Sequence, residues 1–138
     1  MAALPVPYKR TVFLPVGSSV KIQGTPTKSF SMRPELFVDF HTGTQEDSDI
    51  AFHFRVCFGK HVIMNIRKGG KWGQEVRSPV MPFENGHHFE LGILVLLKEY
   101  QVTVNGRQYY TFPHRLDPGY VKMIHIWKDV SLTSVTIT

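Results

Sequence analysis

The chain has a single cysteine, Cys57, so no internal disulfide can form. Its N-terminal MAALPVPYKR lacks a charged segment followed by an apolar core. Together these predict synthesis without a secretory leader in a reducing cytosol. The longest apolar run, Ile93 to Leu97, is far too short to cross a bilayer as a helix, and membrane insertion is not expected. No window of helical length carries an apolar stripe at i, i+3, i+4 and i+7, and no repeat or linker-like tract divides the chain. A Gly-x-Ser-x-Gly elbow is missing, and no paired histidine and acid are placed by sequence to activate Cys57, so an enzyme is not expected. The histidines other than His53 (His41, His61, His87, His88, His114 and His125) show no metal-ligand spacing. The adjacent pair His87-His88 would point to opposite faces of a strand. No metal or cofactor is expected.

Charge of one sign is in excess without being concentrated. The net +5 comes from bases spread between Lys9 and Lys128, and the densest cluster is Arg67, Lys68 and Lys71. A nucleic-acid binder gathers its bases on one element or interleaves them with aromatics, so no nucleic-acid partner is expected.

What remains is the pattern of a many-stranded β protein. Nine prolines fall at the borders of short segments rich in Val, Ile, Phe, Tyr and Thr. We read strands near 11–15, 18–24, 36–41, 49–58, 61–67, 71–77, 88–96, 99–104, 107–112, 120–127 and 130–138. In QVTVNGRQYY (101–110), Asn105-Gly106 supplies two residues tolerant of positive φ between alternating runs, which predicts a type I′ hairpin. At 138 residues the chain fits one domain, 1–138, and so many short strands must stack as two antiparallel sheets to cover their apolar faces. The fold class is all-β, an antiparallel sandwich or jelly roll.

The stretch HFRVCFGKHVIMNIRKGGKWGQEVR (53–77) holds the candidate site. Phe52, Phe54, Val56 and Phe58 share one side of their strand and belong to the core, which turns His53, Arg55 and Cys57 outward. Val62, Met64 and Ile66 point inward in the next strand, leaving Asn65 and Arg67 outward. Glu75 and Arg77, two apart, share a face, with Trp72 at its margin. On this alternation His53 is not a buried, internally satisfied histidine. A flat aromatic beside fixed hydrogen-bonding groups suits a sugar, whose C–H face packs on the indole while its hydroxyls need directional partners. In VKMIHIW, Ile124 and Ile126 form the core row, which places Trp127 outside as a candidate homodimer contact.

The run His53-Phe-x-x-x-Phe58, Asn65, and Trp72-Gly73-x-Glu75-x-Arg77 resembles the galectin sugar-binding pattern. The continuation Pro82-Phe83…Gly86…Phe89-Glu90-Leu91, the VNG at 104–106, the HR at 114–115 and VKMIHIWKDVSLTSV at 121–135 are similar to galectin sequence as well, so the resemblance covers nearly the whole chain. It implies a jelly roll whose concave sheet binds β-galactoside glycans without metal. Trp72 would stack on galactose, His53 would bond an axial hydroxyl, Asn65 and Glu75 would hold further hydroxyls, and Arg77 would bridge Glu75 and a second sugar. The expected location is the cytosol, and the resemblance implies that export without a signal peptide, or a nuclear pool, can accompany it. The family motif has Asn and Arg where this chain has Arg55 and Cys57. Guanidinium only donates, and a thiol is a poor hydrogen-bonding group, so the expectation is a weakened or redirected galactoside site. Arg55 either projects into the sugar pocket or pairs with Glu75. The alternative function is a protein–protein or self-association module that has largely lost lactose binding.

Overall fold

The computed structural model describes residues 3–138 and is built almost wholly of antiparallel strands. In chain order these are β1 (Tyr8–Thr11), β2 (Ser19–Pro26), β3 (Glu35–His41), β4 (Ile50–Cys57), β5 (His61–Lys68), β6 (Lys71–Trp72), β7 (Val76–Ser78), β8 (Phe89–Val95), β9 (Glu99–Val104), β10 (Arg107–Pro113), β11 (Met123–Lys128) and β12 (Val130–Ile137). Two single-turn 3₁₀ segments, Phe30–Met32 and Pro118–Tyr120, interrupt them. A seven-stranded sheet runs β1-β11-β3-β4-β5-β6, with β7 also pairing β5, and a five-stranded sheet runs β10-β9-β8-β2-β12. The β9–β10 hairpin closes on Asn105 (φ 52°) and Gly106 (φ 84°), the positive angles that a type I′ turn requires.

The inner faces meet as the alternation requires. Phe52, Phe54, Val56 and Phe58 are fully buried. Phe52 stacks on Tyr100 of β9, with 4.6 Å between ring centroids, and lies 5.2 Å from Phe112 of β10. This aromatic layer fixes which residues of β3, β4, β5 and β11 must face the other way. That outer face carries the candidate site.

Three predicted strands differ in extent. The ladder of β11 with β1 begins at Met123, so β1 lies at Tyr8–Thr11 and not at 11–15; only Val12 follows, its N–H closing on the Lys122 carbonyl. The 120–127 segment starts later, at Met123, because residues 118–120 form a turn capped by the Asp117 side chain. The single strand predicted over 71–77 is two short ones. The Gly73 carbonyl is taken by the Asn65 amide and the Gln74 carbonyl by Arg115, so neither is free for a ladder.

Candidate functional site

Cross-strand pairing lays polar side chains in rows over the outer face of the seven-stranded sheet. One row reads Lys9, His125, Asp39, His53, Asn65 across β1, β11, β3, β4 and β5. The next reads Trp127, Phe37, Arg55, Ile63, Arg77. Four of the six residues expected at the site, His53, Arg55, Asn65 and Arg77, lie in these rows, and Trp72 and Glu75 border the cleft over them. A cleft of about 370 Å³ is lined by Phe37, His53, Arg55, Ile63, Asn65, Trp72, Gly73 and Glu75. A second cleft shares Arg55, Ile63 and Glu75 with it and reaches Arg33, Lys60, His61 and Arg77.

His53 corrects the expectation drawn from alternation. It does face outward, yet it is only 6% exposed. Phe37 meets its ring edge-on at 5.5 Å and Trp72 lies 4.7 Å away, so neighbouring side chains on the same face cover it. Its Nδ1 lies 2.5 Å from an oxygen of Asp39. A carboxylate only accepts, so Nδ1 carries the proton and Nε2 is the nitrogen left to meet a ligand. Trp72 itself is 51% exposed, with the Arg67 guanidinium 5.6 Å from its ring centroid.

Asn65 is also buried, and its hydrogen bonds are largely internal. Its amide donates to the Gly73 carbonyl at 2.9 Å, while its oxygen accepts from the Ile66 N–H at 2.8 Å and from Arg115 at 3.4 Å. One amide N–H remains for a ligand. Gly73 suits this clamp, because a Cβ there would sit 3.1 Å from the Asn65 oxygen and 3.1 Å from Ile66 and would press on both. Trp72 is thereby held at the cleft margin by backbone contacts on its C-terminal side.

Arg55 takes neither of the expected positions. Its Nε and Nη2 both reach Glu35 on β3 at 2.5 Å, and its guanidinium rests 5.2 Å from the Phe37 ring centroid. Glu75 pairs instead with Arg77, accepting from Nε at 3.1 Å and Nη2 at 2.9 Å. Cys57 sits opposite Glu35 in register, its Sγ 3.5 Å from the same carboxylate oxygen. Burial pushes the Cys57 thiol up, with the Arg55 charge opposing and Glu35 reinforcing the shift.

Trp127, the expected dimer contact, packs within its own chain. It meets Phe37 at 4.5 Å, stacks on His125 at 5.4 Å, and donates its indole N–H to Asp39 at 3.1 Å. His41 and His125 lie on the same face, where burial draws both imidazoles below their ordinary value.

Three residues that contact the candidate site side chains are not indicated by the sequence reading: Glu35, Phe37 and Asp39. They alternate with the core residues Leu36, Val38 and Phe40 along β3. That alternation was the available signal. Arg115 was noticed only within the HR pair, and nothing local indicated its reach to Gln74 on the neighbouring loop.

The architecture is a two-sheet antiparallel sandwich with an aromatic-edged polar cleft on one outer face, the arrangement of a carbohydrate-binding β-sandwich. The galactoside-binding lectin family model matches residues 5–137. The chain belongs to the galectin family. Human galactoside-binding soluble lectin 13 is 53% identical over 137 residues, covering 99% of each chain. Human galectin-16 is 51% identical over 137 residues, covering 99% of this chain and 96% of its own. A solved structure of human galectin-16 R55N matches with a TM-score of 0.95 at 51% identity, covering 100% of this chain and 99% of that one.

Proposed function

We propose that the chain is a lectin whose single galectin-type domain holds β-galactosides in the cleft beside Trp72, with weaker affinity for lactose than an Asn at position 55 and an Arg at position 57 would give. The observation that carries this reading is the half-exposed Trp72 indole beside His53, whose Nδ1 is committed to Asp39. The indole offers a flat apolar face to the C–H side of galactose, and Nε2 of His53 accepts from a hydroxyl. The remaining N–H of Asn65, the Glu75 carboxylate and the Arg77 guanidinium supply further partners around the ring.

Arg55 weakens this arrangement without closing it. Tied to Glu35, it leaves the space above Trp72 and Glu75 open, but it presents no acceptor where an Asn would present both a donor and an acceptor. Cys57 adds no useful partner beyond it. Losing two hydrogen bonds of about 0.5–1.5 kcal/mol each corresponds to roughly ten- to a hundredfold in affinity. Isothermal titration with lactose tests the reading. Arg55→Asn is expected to bind more tightly than the unaltered chain, and Trp72→Ala to abolish binding. Equal lactose affinity with Arg and Asn at position 55, or binding that survives Trp72→Ala, refutes it.

A further inference from the structure

We propose that the outer face of β3 and β11 carries a binding site for a Zn²⁺-class divalent cation, built from Asp39, His41 and His125 with Glu46 as the fourth ligand. Asp39 and His41 are two apart on β3 and so share a face, and His125 stands directly opposite Asp39 on β11. One ligand atom from each lies within 4.8 Å of the other two, and all three residues are buried. Tetrahedral zinc with bonds near 2.0–2.1 Å needs its donors about 3.3 Å apart, so cation binding would draw these donors closer together.

The unmatched polar atoms point to a ligand. His41 is 1% exposed, and its Nδ1 lies 3.2 Å from the Ser48 carbonyl. A carbonyl only accepts, so Nδ1 holds the proton and Nε2 carries the lone pair. That Nε2 is fully buried and has no partner, as is Nε2 of the 5%-exposed His125. Two buried imidazole nitrogens without hydrogen-bond partners, on histidines clustered with a carboxylate, are costly when empty and well matched to a borderline-soft cation. The Ser48 carbonyl orients His41 as an outer-shell acceptor orients a metal-ligating histidine. Asp39 is steadied in the same way by the Trp127 indole and by His53, and its two oxygens retain further acceptor sites.

The same residues line a cleft of about 270 Å³ that opens beside Glu46, giving an entry path. Glu46 is largely exposed, with Oε1 3.7 Å from His125 Nε2 and 3.3 Å from the Lys9 ammonium. Exchanging Lys9 for the cation brings its carboxylate into the fourth position. Two positive charges oppose the cation here: Lys9, held by Glu46, and Arg67, engaged by the carbonyls of Glu46 and Ser48. With Asp39 and Glu46 both ionised, the ligand set neutralises a divalent ion.

The experiment is calorimetric titration of the full chain with zinc chloride at neutral pH, together with the visible spectrum of the cobalt(II)-loaded protein. The expected result is one zinc per chain and the absorption of four-coordinate cobalt. Affinity should fall about a hundredfold or more in His125→Gln and about tenfold in the exposed-site variant Glu46→Gln, and should be unchanged in Cys57→Ser. Absence of saturable one-to-one binding overturns the proposal, as does an affinity unaltered in His125→Gln. Should His125→Gln fail to fold, an unaltered affinity in Glu46→Gln or a six-coordinate cobalt spectrum overturns it.

Discussion

Arg55 is bound to Glu35 on the neighbouring strand, not to Glu75 across the cleft. Both guanidinium contacts land on one carboxylate oxygen, and Phe37 lies beneath, so the side chain is tied to β3 on the border that the two clefts share. Glu35→Gln should release it. The freed guanidinium then sweeps the primary cleft, and lactose affinity should fall roughly three- to tenfold, the effect of about 1 kcal/mol. In an Arg55→Asn background the same change should do nothing measurable. Titration of the four proteins checks this as a double-mutant cycle, and equal effects of Glu35→Gln in both backgrounds contradict it.

How much of this was visible beforehand divides along a physical line. The faces of β4 and β5 followed from alternation, because a row of Phe and Val can go only to the core, and the β9–β10 turn followed from Asn105-Gly106. The destination of Arg55 did not. It is set by which acid lies across the register, and Glu35 comes from a strand 20 residues earlier in the chain. The burial of His53 was equally hidden. Facing outward from a strand does not mean facing water when Trp72 and Phe37 arrive over the same spot from other strands. The break at 73–75 coincides with side chains bonded to the Gly73 and Gln74 carbonyls, contacts that no local pattern announces.

Cys57 should be a sluggish thiol. Burial raises it, and Glu35 adds to the shift while Arg55 opposes it, so little thiolate exists at neutral pH. Alkylation by iodoacetamide should be slower than that of an unhindered thiol and should accelerate as pH rises toward the raised value. Arg55→Asn removes the opposing positive charge and should slow the reaction further. A faster rate in that variant reverses the assigned sign.

Trp127 is hydrogen-bonded to the carboxylate that holds His53. Its indole N–H is one of two donors fixing the Asp39 carboxylate, and the other is His53. Trp127→Phe keeps the ring against Phe37 and deletes that donor alone. Stability by urea denaturation should fall by about 1–3 kcal/mol, and lactose affinity by roughly two- to fivefold as His53 loses its steadied partner. Light scattering should report the same mass for variant and parent. A drop in mass instead assigns Trp127 to a dimer interface.

The second cleft predicts a preference in charge. Glu35 is matched by Arg55 and Glu75 by Arg77, whereas Arg33 and Lys60 on the same rim form no ion pair with a carboxylate among the described residues. A galactoside that carries a sulfate reaching this end meets uncompensated positive charge in addition to the Trp72 platform. Sulfated lactose should therefore bind roughly three- to tenfold more tightly than lactose at low ionic strength, with the advantage shrinking toward 1 M salt as screening shortens to about 3 Å. Lys60→Glu should erase most of the gain while leaving neutral lactose unaffected, since Lys60 does not line the cleft beside Trp72. Competition titrations at two salt concentrations measure both effects, and a preference that persists at high salt would assign the discrimination to shape and not to charge.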